Sequence, residues 1–189
     1  MSKAVLISIR PEWCEKIANG EKTIEVRKTC PKLETPFKVY IYCSAGGDKL
    51  WVRDTAWRER WINGPISFLS NAKDCGGMNL GNRRVIGEFT CDQIIDAWWD
   101  YVPDAITGEV TGGNLEALGG TGMTDGELFG YVGDSMRGHC YGWHISDLKI
   151  YGQLRELTEF RKPEFPTGLR LEDDEIKRPP QSWCYVDEL

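Results

Sequence analysis

The stretch "ANGEKTIEVRK", residues 18–28, decides how the chain is read, because it crowds a glycine and several charges around two β-branched residues. Residues 23–27 alternate with period two: Ile24 and Val26 fall on one face, Thr23, Glu25 and Arg27 on the other, as in a half-buried strand. Ile24 and Val26 then face a core, while Glu25 and Arg27 share the opposite face within pairing reach. Lys22 stands at the mouth of this strand. Strict alternation puts it on the Ile24 face, and a turn at Glu21 is needed to redirect it.

Upstream, Val5, Ile7 and Ile9 alternate with Leu6 and Ser8, which predicts an opening strand ending at Arg10. Pro11 suits the first turn of a helix, where its missing N–H would be unpaired anyway. Glu12 favours the positive end of that helix, Trp13 and Ile17 share a face, and Gly20 stands at the C′ position. Downstream, "FKVYIYC" (37–43) and "RRVIGEFTCDQI" (83–94) read as strands. Between them lies an insertion, about 44–82, in which Leu50, Trp57 and Trp61 beside Arg53, Arg58 and Arg60 predict an amphipathic helix over 48–62. A second insertion, about 100–122, is rich in Gly, Thr and Asp and reads as loop. Thr124 and Glu127 form a T-x-x-E capping box ahead of Leu128, Tyr131 and Val132, predicting a short helix. "HCYGWHISDLKIY" (139–151) reads as one strand with Tyr141, Trp143 and Ile145 on its bulky face. A short helix is expected over 153–160, a surface connection over 161–180 within a C-terminal extension of about 161–189, and a closing strand at "QSWCYV".

Many short strands with few helices predict an α+β fold, a small mixed β-barrel with flanking short helices and two insertions, in a single domain over 1–189. The chain has 189 residues, 41% of them hydrophobic, enough for one core. Its net charge of -6 excludes a protein that coats nucleic acid through a broad basic face, so any polyanion contact is local. Seven scattered cysteines without a CxxC pair read as thiols of a reducing compartment, and no apolar window approaches a membrane span, so a cytoplasmic location without membrane attachment is expected.

The motif Gly20-x-Lys22-x-x-Glu25-x-Arg27 would arise by chance in roughly one chain of this length in several hundred. Together with "ISIRPEW" before it and "GWHISDLKIY" near the end, it resembles the ASCH domain family, related to PUA domains. The resemblance covers the N-terminal strand, helix and motif and, more loosely, the C-terminal strand; the two insertions fall outside it. It implies a PUA-like barrel with a cleft beside the first helix, lined by Lys22, Glu25 and Arg27, that binds RNA or a nucleotide-like small molecule. Glu25 would accept from a base amino group, Arg27 hold a carbonyl or phosphate, and Lys22 supply a point charge. The bland alternative is a structural Glu25–Arg27 ion pair, and one arrangement can serve as both scaffold and grip.

One ASCH branch resembles an amidohydrolase acting on acetylated cytidine through the motif lysine, a nearby threonine and a later glutamate. Lys22 matches the lysine, but Glu25 occupies the threonine position, and Glu88 and Glu127 are the available later acids. Lys22 and Glu25 are thus the catalytic candidates of a small hydrolase, an amidohydrolase or a ribonuclease, as the alternative to a binding domain. A third reading is a protein-interaction module, since small ASCH proteins resembling this one occur in bacteriophages and prophages. Arg10, at the helix N-terminus, is an anion-binding candidate or a solvated strand end. Trp143 and His144 lie on opposite faces of their strand, so one of them is expected at the cleft, stacking on a base, while the other packs or is exposed. His139, Cys140 and His144 with Cys75 or Cys91 lack the short ligand spacings of a zinc site, and no phosphate loop is present, so neither metal nor cofactor is expected.

Overall fold

The computed structural model describes residues 2–44, 49–54, 60–65, 79–103, 110–133, 136–164 and 174–189. Among the described residues, twelve strands and two α-helices follow in chain order: β1 Lys3–Ile9, α1 Pro11–Ala18, β2 Ile24–Arg27, β3 Phe37–Cys43, β4 Lys49–Asp54, β5 Arg60–Pro65, β6 Asn79–Leu80, β7 Arg84–Cys91, β8 Ile94–Pro103, β9 Val110–Gly113, α2 Asp125–Val132, β10 Arg137–His144, β11 Ser146–Arg155 and β12 Trp183–Asp187. They make mixed sheets of an α+β fold. The ladders form a five-stranded sheet in the order β11-β7-β3-β1-β12, a four-stranded sheet β2-β10-β8-β9 and a three-stranded sheet β5-β4-β6. No hydrogen-bonded ring closes the described strands into one barrel. The chain passes between the two larger sheets at Asp92–Gln93 and again at Ile145, so they are joined by continuity of the chain and by packing.

The main core lies between those two sheets, where Val5, Ile7, Val39, Ile41 and Phe89 of one meet Trp143 of the other and Ile17 of α1. Trp143 is fully buried, edge-on to Phe37 at 6.0 Å between ring centroids. Burying an aromatic side chain of this kind stabilises the fold by roughly 1.5–3 kcal/mol. A second cluster, with Leu6, Tyr40 and Phe160, covers the other face of the five-stranded sheet. A third fixes the four-stranded sheet to α2, joining Ile24, Val26, Trp99 and Cys140 to Leu118 and Leu128. The six cysteines among the described residues are free thiols. Among the described residues, no helix is long and apolar enough to cross a membrane.

The structure corrects several local expectations. Residues 48–62 were expected to be helical, but Lys49–Asp54 and Arg60–Pro65 form an antiparallel pair with Val52 opposite Ile62; Trp57 lies outside the described residues. Aromatic and β-branched residues at 51–52 and 61–62 favour a pleated surface, and tertiary pairing overrode the helical spacing. The second insertion is only partly loop: β8 runs into it, Val110–Gly113 pairs with β8, and Leu115–Leu118 is a 3₁₀ turn. The strand read over 139–151 breaks at Ile145, and Asp147 adopts a φ of 48° just beyond. Residues 153–155 continue β11, leaving a 3₁₀ turn at Leu157–Glu159 where a helix was expected. Part of the 161–180 connection docks on the fold: Asp174 and Ile176 are buried, and Ile176 N–H donates to the Phe160 carbonyl.

Candidate functional site

The local chemistry of residues 10–27 places the charged motif. Arg10 is the N-cap of α1, Pro11 opens the helix, and Asn19 ends it. Gly20 then takes a φ of +76°, a left-handed conformation that glycine adopts without the Cβ penalty. Through this turn both Glu21 N–H and Lys22 N–H donate to the Lys16 carbonyl, at 2.8 and 3.0 Å. That reversal is what redirects Lys22, whose Nζ reaches Glu25 Oε2 at 3.4 Å although alternation alone would point it away. Arg27 Nη2 meets Glu25 Oε1 at 2.9 Å and also donates to the Ser8 carbonyl at 2.7 Å, tying β2 to β1. The exposures of Lys22, Glu25 and Arg27 are 2%, 6% and 7%, so the three charges form a buried cluster.

The second insertion closes over this cluster. Lys22 Nζ donates to the Thr121 carbonyl at 2.8 Å, and Lys16 Nζ donates to the Gly122 carbonyl at the same distance. Thr23 and Ile24 N–H both donate to the Gly120 carbonyl. Lys22 Nζ lies 5.2 Å from the centroid of the Trp13 ring and Lys16 Nζ 4.7 Å from it, within cation–π range. Burial lowers the Lys22 ammonium from its ordinary value more than the Glu25 carboxylate raises it, and Arg27 and Lys16 add repulsion. Lys22 is therefore shifted toward the neutral form despite its carboxylate neighbour.

A cavity of about 810 Å³ opens over the cluster. Lys22, Glu25 and Arg27 line it together with Arg10, so four of the six sequence-named ligand candidates meet in one place. The other two do not line it. Trp143 belongs to the core between the sheets, and His144 is half-buried, its Nδ1 2.7 Å from Asp92 Oδ1. Of the later acids, Glu127 lines the cavity, but its Oε2 accepts from Thr124 N–H and hydroxyl in the capping box, which holds its carboxyl below the ordinary value. Glu88 is not among the lining residues; it contacts Lys38 at 3.7 Å and accepts from the Tyr151 hydroxyl.

The walls contain residues that sequence patterning assigned elsewhere. Trp13 was read only as the packing face of the first helix, and Tyr131 as the apolar face of the second, yet both line the cavity. Ser8 was read only as a position of the first strand, and Gln181 and Ser182 only as the head of the closing strand, yet they line it too, with Ser44, Pro179 and Pro180. The capping box carried the one usable signal, since it announces a defined helix directly after a glycine-rich insertion. Where that helix docks is a long-range fact that no local pattern encodes.

No protein-family model and no curated protein sequence matches the chain. Solved structures of an ASCH protein from Zymomonas mobilis do match its fold. A tyrosine-to-phenylalanine variant superposes with a TM-score of 0.54 at 14% identity, over 99% of this chain and 92% of that one. The ASCH structure without a stated substitution gives 0.52 at 14%, over 98% and 88%. A serine-to-alanine variant gives 0.53 at 14%, over 98% and 89%. With the likeness extending over nearly the whole of both chains, this protein has an ASCH-like fold, a small PUA-like α+β fold.

Proposed function

We propose that the cavity binds a nucleobase-bearing ligand, either a nucleoside or an unpaired base of an RNA strand. The observation that carries this reading is the buried Lys22–Glu25–Arg27 cluster lining an open cavity, since charges kept out of water on a fixed scaffold are suited to reading a polar ligand. Glu25 accepts from a base amino group, Arg27 donates to a carbonyl or phosphate, and Trp13 and Tyr131 supply π faces for stacking. The cavity volume of about 810 Å³ accommodates a nucleotide-sized ligand. Free thiols and the lack of a long apolar helix among the described residues agree with a cytoplasmic setting.

Calorimetric titration of the four nucleosides and a short single-stranded RNA tests the reading. Saturable binding with a preference among bases is expected. Glu25→Gln should reorder that preference while keeping much of the affinity, because the amide retains one acceptor and adds donors. Binding that survives loss of all three motif charges would instead mark a protein-interaction or other surface.

The lowered Lys22 ammonium favours a second reading, a hydrolase in which Lys22 acts as base or nucleophile on an acylated cytidine. Turnover of such an amide that vanishes in Lys22→Met and in Glu25→Gln, with binding retained, would establish it. Absence of turnover in the unmodified protein would leave the binding reading.

A further inference from the structure

One face of the β8–β10 ladder changes character along its length. The register sets Trp143 opposite Ile94, Tyr141 opposite Asp96, His139 opposite Trp98 and Arg137 opposite Asp100. Directly opposed residues share a face, so these eight side chains form one surface. At its inner end Trp143 is fully buried in the core between the two larger sheets, and Ile94 and Tyr141 pack against that core. Toward the outer end the exposure rises: Trp98 is 46% exposed, and the side chains of His139 and Arg137 are 47% and 72% exposed. The reverse face of the same stretch is covered, since Ala97, Trp99 and Cys140 are buried with Leu118 and Leu128. Among the described residues, the two strands therefore run past the sheet they pack on and leave one face uncovered, with a tryptophan in its middle. That indole rests against β9, where a Cβ at Gly112 would lie 3.5 Å from Trp98 Cζ3. None of Asp96, Trp98, Asp100, Arg137, His139 and Tyr141 lines the cavity.

The polar groups of this face stand in two columns. β10 supplies the donors Arg137, His139 and Tyr141, and β8 supplies Asp100, Trp98 and Asp96. Within one chain Arg137 Nε meets Asp100 Oδ1 at 3.1 Å, and His139 Nε2 meets Asp96 Oδ1 at 2.5 Å. Such exposed pairs are worth little by themselves, so sharing them with a second set of groups costs little. The columns are also self-complementary. Consider two copies stacked face to face about a two-fold axis parallel to the strands: β10 of each copy then lies over β8 of the other, at the same height. Arg137 meets the partner's Asp100, the His139 ring meets the partner's Trp98, and the Tyr141 hydroxyl meets the partner's Asp96. A two-fold axis across the strands would instead set Asp100 against the partner's Asp96. The charge pattern thus selects one of the two ways of pairing the face with itself.

We propose that this overhanging face is an interface between two copies of the chain, an isologous two-fold contact with Trp98 buried near its centre and Arg137–Asp100 pairs crossing between copies. Burial of the exposed indole supplies the favourable term, as tryptophan does at the centre of other interfaces, and the columns of charge fix the register. Aligned packing of two sheet faces about 10 Å apart accommodates side chains of this size.

Sedimentation equilibrium on the full chain tests the proposal, at physiological ionic strength, which screens the repulsion between chains of net charge -6. From roughly micromolar to millimolar concentration the mean mass should climb from that of one chain to that of two. Trp98→Ser should weaken association roughly tenfold or more. Arg137→Asp and Asp100→Arg should each do the same, because each sets like charges across the interface. All three side chains are solvent-accessible, so the fold should survive, as thermal melts would show. An equimolar mixture of the two charge variants should associate again, since each offers the charge the other lacks, and only a contact between chains is repaired that way. A single-chain mass across the whole range would overturn the proposal and leave the Trp98 face to a different partner. A dimer indifferent to all three substitutions would overturn it too, as would one lost in the charge variants and not regained on mixing.

Discussion

At the residue scale the account turns on Glu25, because it is the carboxylate that joins two buried cations, Lys22 and Arg27. Arg27→Ala removes the nearer partner and the bond to the Ser8 carbonyl together. It should destabilise the fold by about 3 kcal/mol, since breaking a buried pair strands the remaining charge, and Lys22 at 3.4 Å only partly replaces it. That corresponds to a fall in Tm of roughly 6–12 °C for a chain of this size, readable by thermal melts. Glu25→Gln should leave two cations facing a neutral amide. It therefore destabilises too, and ligand selectivity has to be measured below its melting range.

Lys22 makes a separate prediction about pH. Its lowered folded-state pKa arises from burial first, opposed by Glu25 and reinforced by Arg27 beside it and Lys16 on α1; the Thr121 carbonyl and the Trp13 ring also face it. Below the folded value Lys22 is protonated in both states, and the cost of burying the charge is fully present. Between the lowered folded value and the ordinary lysine value, only the unfolded chain binds the proton. Stability contributed at this site therefore rises with pH across that window. Tyr40, Tyr151 and Cys91, whose values are raised by burial, act in the opposite sense over alkaline pH. The stability difference between the unmodified protein and Lys22→Met isolates the lysine. It should move in favour of the unmodified protein as pH rises, and a flat difference would show that Lys22 keeps its ordinary value.

At the element scale, α1, β2 and the second insertion form one unit. Gly120 is where they touch: its φ is +98°, and a Cβ there would lie 2.3 Å from Thr23 Oγ1. Gly120→Ala should cost about 1–3 kcal/mol through strain and displace the Thr121 carbonyl from Lys22, weakening ligand binding as well as stability. Thr124→Ala removes the capping box and should cost about 1 kcal/mol, loosening the helix that carries Tyr131. Much of this unit was legible locally: the period-two run at 23–27, Pro11 and Gly20 around α1, and the T-x-x-E signature each name their own structure. Lys22 was the exception. Its direction depends on the Gly20 turn and the bonds to the Lys16 carbonyl, which alternation cannot see. The pair Lys49–Asp54 and Arg60–Pro65 was misread because Leu50, Trp57 and Trp61, seven and four apart, satisfy a helical period, and the strand from Ile94 to Pro103 was missed because only its pairing with β10 reveals it. Trp143 and His144 were bracketed together as one cleft residue and one not, whereas the sheet packing takes the first into the core and leaves the second on the surface.

At the scale of the whole molecule, a net charge of -6 sets the terms on which a polyanion can approach. With the cationic contacts confined to the neighbourhood of Arg10, Lys22, Arg27 and Lys28, binding of single-stranded RNA should involve two or three phosphates. The salt dependence should then have a logarithmic slope of about -1.5 to -2, far shallower than that of a protein with a broad basic face. A slope of roughly -6 or steeper, shared by duplex DNA, would point to another surface. The most direct measurement of the central claim, that the cavity above Lys22, Glu25 and Arg27 is the ligand site, is a titration of the isotopically labelled protein with nucleotides and short single-stranded RNA, followed by amide and indole resonances. The account predicts saturable shifts concentrated on Ser8 to Trp13, Lys22 to Arg27, Met123 to Tyr131 and Gln181 to Ser182, with the Trp13 indole among them. Saturable shifts centred instead on the exposed Trp98 and His139 face of the four-stranded sheet, with the cavity residues unmoved, would contradict it.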